Sequence, residues 1–210
     1  MATRPTLGDT GKTLETQYFG TLKVSAQNMS AFQRAVERLA TNKPKPGSLT
    51  PFVPFGAAVE LTKRFQPWDS PELPGKQVAS DLLEAVGSML RQKGYRNASS
   101  ELKFYTAVSP SGVGMESPLD LFHGVDAFIE WGTKRVLLDL TRNTSKGFED
   151  SHDNRIVINE LPDYGDEKER PAYKKAIAKY AEAIANTLSE KKEPSREVRS
   201  RTSYIAPEFR

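Results

Sequence analysis

Residues 119–146 read L-D-L-F-H-G-V-D-A-F-I-E-W-G-T-K-R-V-L-L-D-L-T-R-N-T-S-K, a pattern that predicts two strands joined by a tight turn. Residues 124–131 alternate between two faces, as a half-buried strand does. Residues 134–141 are rich in β-branched and aliphatic side chains, which favour a second strand. Gly132 and Thr133 fit a two-residue type II′ turn, which requires glycine at its first central position. We therefore expect a β-hairpin here.

The predicted turn determines which residues of the hairpin face each other. When Trp131 lies opposite Lys134, one face carries only apolar side chains: Val125, Ala127, Ile129, Val136, Leu138 and Leu140. On the other face Glu130 meets Arg135. A slip of one residue would mix the two faces, so this register is favoured.

The same register places two aspartates, Asp126 and Asp139, directly opposite each other. Directly opposed residues have Cβ atoms about 4.5–5.5 Å apart, so the two carboxylates repel each other. A divalent cation or a shared proton would relieve that repulsion. Two solvated aspartates at the splayed end of a hairpin are the alternative that involves no ligand.

This arrangement resembles the core of the PD-(D/E)XK nuclease-like (restriction-endonuclease-like) superfamily. The resemblance covers residues 75–188 and depends on an aspartate at the start of one strand, Asp126, and on the tripeptide Asp139-Leu140-Thr141 in the next. Thr141 stands where the family usually has lysine. Lys146, just past the strand, is the candidate for a relocated lysine.

The resemblance implies a nuclease, that is, a Mg²⁺- or Mn²⁺-dependent phosphodiesterase that cleaves nucleic acid, with DNA as the expected substrate. It assigns Asp126 and Asp139 as metal ligands. In this family the helix before the sheet often brings an acidic residue to the metal. Residues 76–93 predict such a helix, on which Glu84 is the first candidate and Asp81 the second. A solvated polar helix face is the alternative for both.

Positively charged and polar side chains would act on the phosphate. Lys146 would orient the attacking water or neutralise the phosphate, and Thr141 would hydrogen-bond the phosphate or a metal-bound water. Basic residues collect near the C-terminus: residues 168–210 contain eleven Lys and Arg and six Asp and Glu. Lys174, Lys175 and Lys179 on a predicted helix are therefore candidate contacts to the nucleic-acid backbone. A solubility role for these charges stays open.

Composition limits the other classes of function. A chain of 210 residues without cysteine predicts one domain with neither disulfides nor thiolate zinc sites. Only two histidines are present, which argues against a histidine zinc site. The net charge of +3 permits nucleic-acid binding without requiring it. The sequence shows no apolar run of transmembrane length and no secretory signal, so we expect a cytoplasmic protein without a membrane partner.

The chain divides into three predicted parts: an N-terminal extension wrapping the core (1–74), a nuclease-like core (75–190) and a basic C-terminal tail (191–210). Residues 1–15 are polar and expected to be mobile, and residues 16–26 predict a strand or short hairpin. The proline-rich residues 41–73 carry aromatic side chains that either pack on the core or form a base-stacking surface.

The predicted order α, β, β, β, β, α indicates an α/β (mixed α+β) fold: a central mixed β-sheet flanked by helices, with a restriction-endonuclease-like core. Two functions compete with the nuclease. One is a catalytically degenerate module that binds nucleic acid or protein, which Thr141 favours. The other is a structural or assembly protein. A homodimer or larger complex is compatible with each of them.

Overall fold

A computed structural model describes residues 11–22, 24, 26–41, 51–66, 70–109, 116–141, 154–159 and 161–190. The elements in these ranges are α1 (Gly11–Phe19), α2 (Ala26–Leu39), α3 (Phe55–Phe65), α4 (Gln77–Gln92), α5 (Ala98–Glu101), β1 (Leu102–Thr106), α6 (Pro118–His123), β2 (Ala127–Trp131), β3 (Lys134–Thr141), β4 (Arg155–Asn159) and α7 (Arg170–Ser189). Lys146 and the tail 191–210 lie outside the described residues. None of the described helices has the length and hydropathy needed to cross a membrane.

The four strands form one mixed sheet in the order β1-β2-β3-β4. The first three strands are antiparallel, and β4 runs parallel to β3. The predicted hairpin register is confirmed from Ala127 opposite Leu138 to Trp131 opposite Lys134, and it places Glu130 opposite Arg135. The paired residues end at Ala127, so the predicted direct opposition of Asp126 and Asp139 is not part of the ladder. Gly132 has a φ of +61°, a conformation that glycine adopts without strain. The predicted mixed sheet flanked by helices is therefore present.

Each face of the sheet is covered by its own layer of helices. On one face α1, α4 and α7 bury the aliphatic row of the hairpin, which includes Ile129 and Leu138. On the opposite face α2, α3 and α6 bury Phe128 and Leu137. The alternation of side chains along a strand explains this division, because neighbouring residues point to opposite faces. The fold thus has three layers, with the sheet in the middle.

The N-terminal segment differs from its prediction. A strand or hairpin over residues 16–26 is wrong, and so is mobility up to residue 15, because α1 extends from Gly11 to Phe19. Leu14 and Tyr18 are buried on one side of this helix. The Tyr18 hydroxyl donates to the Leu161 carbonyl (3.2 Å) and accepts from its N–H (3.1 Å). These bonds fix α1 to the segment that follows β4.

The beginning of the hairpin also differs from its prediction. Val125 was expected to share the apolar face with Leu140, but β2 begins only at Ala127. The Val125 N–H donates to the Leu119 carbonyl, and its side chain belongs to the core of the opposite face. The chain therefore turns away from the regular ladder immediately before the strand.

Much of the proline-rich region packs on the core. Helix α3 forms within this region, and its residues Val59, Leu61 and Phe65 are buried. For these residues the packing alternative is confirmed. Residues 42–50 and 67–69 lie outside the described part of the chain.

Candidate functional site

The two predicted aspartates lie at one edge of the sheet, namely the edge formed by the carboxyl ends of β3 and β4. Asp126 immediately precedes β2, and Asp139 lies near the carboxyl end of β3. Because β4 runs parallel to β3, its last residue, Asn159, ends at the same edge, opposite Thr141. Ligands of open α/β sheets bind beyond the carboxyl ends of parallel strands. The predicted pair therefore occupies the edge at which such a site is expected.

Asp126 is buried, with 5% of its surface exposed, and it closes the end of the hairpin ladder. Its N–H donates to the Leu138 carbonyl (3.0 Å), and its Oδ2 accepts from the Leu140 N–H (2.6 Å). In a continued antiparallel ladder the Leu140 N–H would pair with the carbonyl of Val125. The carboxylate replaces that carbonyl, so Asp126 has a structural role that the sequence pattern did not reveal.

Further carboxylates surround this aspartate. Burial raises the pKa of Asp126 to about 8; the Leu140 N–H opposes the shift, and the charges of Glu15, Asp139 and Asp120 add to it. Burial, and after it the charge of Asp120, raises the pKa of Glu15 to about 6, whereas the charge of Lys12 lowers this pKa. Acidic side chains from α1, α6, the start of β2 and the end of β3 therefore lie close enough for their charges to interact.

Arg155, the first residue of β4, supplies positive charge at this edge. Its Nη1 lies 3.8 Å from Asp139 Oδ2. The guanidinium also donates to the carbonyls of Gly124 (2.8 Å) and His123 (2.7 Å). These three contacts hold the Arg155 guanidinium between β3 and the loop that precedes Asp126.

Glu84, the predicted acidic residue of the helix, lies elsewhere. It is exposed in a groove of about 490 Å³ between α4 and α7, whose lining includes Asp81 and Lys174 but neither Asp126 nor Asp139. Asp81 accepts a hydrogen bond from the Tyr173 hydroxyl (2.7 Å). The structure therefore does not bring these two helix carboxylates together with the aspartate pair.

The structure describes Thr141 and the three predicted lysines of α7, but not Lys146. Lys174, Lys175 and Lys179 are all exposed on α7, as a contact with a phosphate backbone requires. Thr141 ends β3, two residues beyond Asp139 on the same strand face. The role proposed for Lys146 stays a prediction, since that residue lies outside the described ranges.

Glu15 is the carboxylate that the sequence reasoning missed. A weak signal was present: Leu14 and Tyr18 are spaced i, i+4, as on a helix, and a glycine follows at position 20. Gly20 has a φ of +77°, and its N–H donates to the Thr16 carbonyl, so it ends the helix. A helix prediction there would have made Glu15 a candidate for the site.

No protein-family model, curated protein or solved structure was found to match this chain. The interpretation of the site therefore depends on its own residues.

The described residues do not supply a complete metal site by themselves. Within the described ranges, no three His, Asp or Glu side chains converge so as to bind one metal ion. Among the described residues, three buried side-chain oxygens have no hydrogen-bond partner: Thr16 Oγ1, Ser117 Oγ and Asn159 Oδ1. Thr16 adjoins Glu15, Ser117 precedes the helix that carries Asp120, and Asn159 ends β4.

The stability of the protein should fall as the pH rises from about 4 to about 8. Folded Asp126 holds its proton up to a pKa of about 8, against 3.8 in the unfolded chain. The stabilisation is therefore complete below the unfolded pKa and is lost as the pH rises through the folded pKa. Glu15, with a pKa raised from 4.5 to about 6, acts in the same direction over a narrower range.

Urea unfolding of the wild type and of Asp126→Asn, each near pH 5 and near pH 8, measures this dependence. Because asparagine does not ionise, we expect the variant to lose less stability over this range, by at least about 1.4 kcal/mol, the equivalent of one pKa unit. Equal pH dependence in the two proteins would contradict the prediction.

Proposed function

We propose that this protein is a divalent-metal-dependent phosphodiesterase that acts on nucleic acid, with Asp126 and Asp139 as its metal-binding pair. The observation that carries the proposal is the grouping of Glu15, Asp120, Asp126 and Asp139 at the carboxyl edge of the parallel strands. Partly buried carboxylates that repel one another require compensating positive charge. Arg155 and Lys12 supply part of it, and a cation would supply the rest.

The donor set fits the proposed metal. Carboxylate oxygens are hard ligands, and Mg²⁺ is commonly held by one or two of them together with water and substrate phosphate oxygens. Asp126 and Asp139 meet that requirement without a third protein ligand. Glu15 on α1 takes the position that the resemblance assigned to Glu84, and would act directly or through water. When bound, the metal supplies a water of lowered pKa and stabilises the negative charge that develops on the phosphate.

The residues around the Asp126 and Asp139 pair would position the substrate phosphate. Arg155 is anchored by two backbone carbonyls, so its guanidinium is held beside Asp139 without a large entropy cost on binding. We assign it to the scissile phosphate or its neighbour. This role compensates for the threonine that occupies the lysine position, alone or together with Lys146. Thr141 would donate a hydrogen bond to the same phosphate.

A second candidate is a module of this fold that binds nucleic acid without cleaving it. The ion pair between Arg155 and Asp139 favours this function, because a cation that neutralises the aspartate competes with the metal. Thr141 favours it as well, since the hydroxyl carries no charge.

Calorimetric titration of Mn²⁺ into the wild type and Asp139→Ala tests the proposal, with cleavage of single-stranded and duplex DNA measured on the same samples. We expect the wild type to bind Mn²⁺ and cleave, and the variant to lose both. Binding without cleavage in the wild type would favour the non-cleaving module. Absence of Mn²⁺ binding to the wild type would contradict the metal site and leave the aspartates with structural roles only.

A further inference from the structure

An exposed aromatic patch borders the group of carboxylates formed by Glu15, Asp120, Asp126 and Asp139, which we call the acidic edge. It consists of Phe52, Phe55, Leu121, Phe122 and His123, from the segment before α3, the first residue of α3 and helix α6. Phe55 and Leu121 are 37% and 39% exposed, although the remaining large apolar residues of α3 and α6 are mostly buried. The patch is therefore apolar surface that the described part of the chain does not cover.

The rings of the patch are held in a fixed arrangement. The ring centroids of Phe52 and Phe122 lie 5.4 Å apart, and those of Phe55 and His123 also lie 5.4 Å apart. Both pairs meet edge to face, a favourable geometry for aromatic rings. His123 Nε2 lies 2.9 Å from the Val53 carbonyl oxygen, which ties α6 to the segment before α3. A ligand that stacks here therefore meets a preorganised surface.

The patch is joined to the candidate site through Arg155. The carbonyl of His123, a member of the patch, accepts a hydrogen bond from this arginine, and the same guanidinium lies 3.8 Å from Asp139. Helix α6 itself carries Asp120, one of the acidic residues of the edge. Rings, cation and carboxylates therefore follow one another across a short stretch of surface.

We propose that the aromatic patch binds unpaired bases of a single-stranded nucleic acid whose phosphate backbone passes Arg155. This inference rests on the proposed function and specifies its substrate as single-stranded. Aromatic side chains stack on the faces of unpaired bases whatever the sequence, while an adjacent cation contacts the backbone. The bases of a duplex are already stacked on one another, so their faces are inaccessible to such a patch. The aliphatic partner, Leu121, extends the apolar surface beside the rings.

Fluorescence anisotropy with a labelled oligo(dT) in EDTA tests the patch without involving the metal. We expect Phe55→Ala to weaken binding about tenfold, because one stacking contact is lost. Phe55→Trp should restore the affinity, since tryptophan also stacks. Tyr95→Ala is the matched control: Tyr95 is 38% exposed and packs on Trp131 at the far end of β2 from the acidic edge. Thermal unfolding of each variant shows whether the fold is retained.

The outcomes separate this inference from the proposed function. Binding of oligo(dT) that depends on Phe55, without any Mn²⁺-dependent cleavage, would support the patch and contradict the nuclease. Cleavage that Phe55→Ala leaves unchanged, together with unchanged oligo(dT) affinity, would support the nuclease and contradict the patch. Tighter binding of duplex than of oligo(dT) would overturn the inference, and so would an equal loss of affinity in Tyr95→Ala. Either result would favour a protein, rather than unpaired bases, as the partner of the patch.

Discussion

Replacing Asp126 with asparagine is expected to lower Mn²⁺-dependent cleavage at least about 100-fold, since metal ligation contributes several kcal/mol to the stabilisation of transition-state charge. The substitution is nearly isosteric. The amide oxygen of asparagine can still accept the hydrogen bond that the Leu140 N–H gives to Asp126. The end of the hairpin ladder is therefore preserved, while the side chain can no longer lose a proton and become an anionic metal ligand. A loss of activity therefore reports on metal ligation rather than on folding.

Substitutions of two glutamates show which helix completes the site. We expect Glu15→Gln to lower cleavage about tenfold, because its charge reaches Asp126 and a carboxylate acting through water typically contributes this much. Glu84→Gln should have the smaller effect, since that side chain lies in the groove between α4 and α7. A larger loss of cleavage in Glu84→Gln than in Glu15→Gln would indicate that Glu84, not Glu15, acts in the site. Cleavage by Asp126→Asn at the wild-type rate would contradict the proposed function itself.

The hairpin was predictable because its determinants are local. A glycine in the turn, alternation along one strand and an aliphatic row along the other fix the register within a few residues. The same logic placed Glu130 opposite Arg135, and the structure adds an ion pair between them. Lys63, from the distant helix α3, also contacts Glu130 (3.1 Å). No local pattern could have indicated that third partner.

The rest of the site depends on contacts between distant parts of the chain. Helix α1 is short and weakly patterned, and it is held by bonds from Tyr18 to Leu161, far along the sequence. Glu15 could therefore not be assigned to the site without the fold. Glu84 shows the converse: its polar helix face was compatible with either a ligand or solvent, and only the packing of α4 against α7 decides between them.

Truncation of Phe128 to alanine is expected to lower the free energy of unfolding by about 3–5 kcal/mol. Phe128 is fully buried on an inner strand of the sheet, where its ring stacks on Tyr105 with the centroids 4.8 Å apart. The Arg135 guanidinium lies over the same ring, 5.2 Å from its centroid. Alanine would leave a cavity among these groups and remove both ring contacts. Small domains are stabilised by only about 5–15 kcal/mol in total, so the loss would be a large fraction.

Urea unfolding of Phe128→Ala and Phe128→Leu measures this effect. Leucine keeps much of the buried volume but loses both ring contacts, so we expect its cost to be smaller than that of alanine. A cost below about 1 kcal/mol for alanine would contradict the three-layer packing, because Phe128 would then not be enclosed between the sheet and α3. Phe128 points to the α3 side of the strand, whereas Asp126 acts at its end. Where the alanine variant remains folded it should therefore bind Mn²⁺ as the wild type does, which separates loss of packing from loss of the metal site.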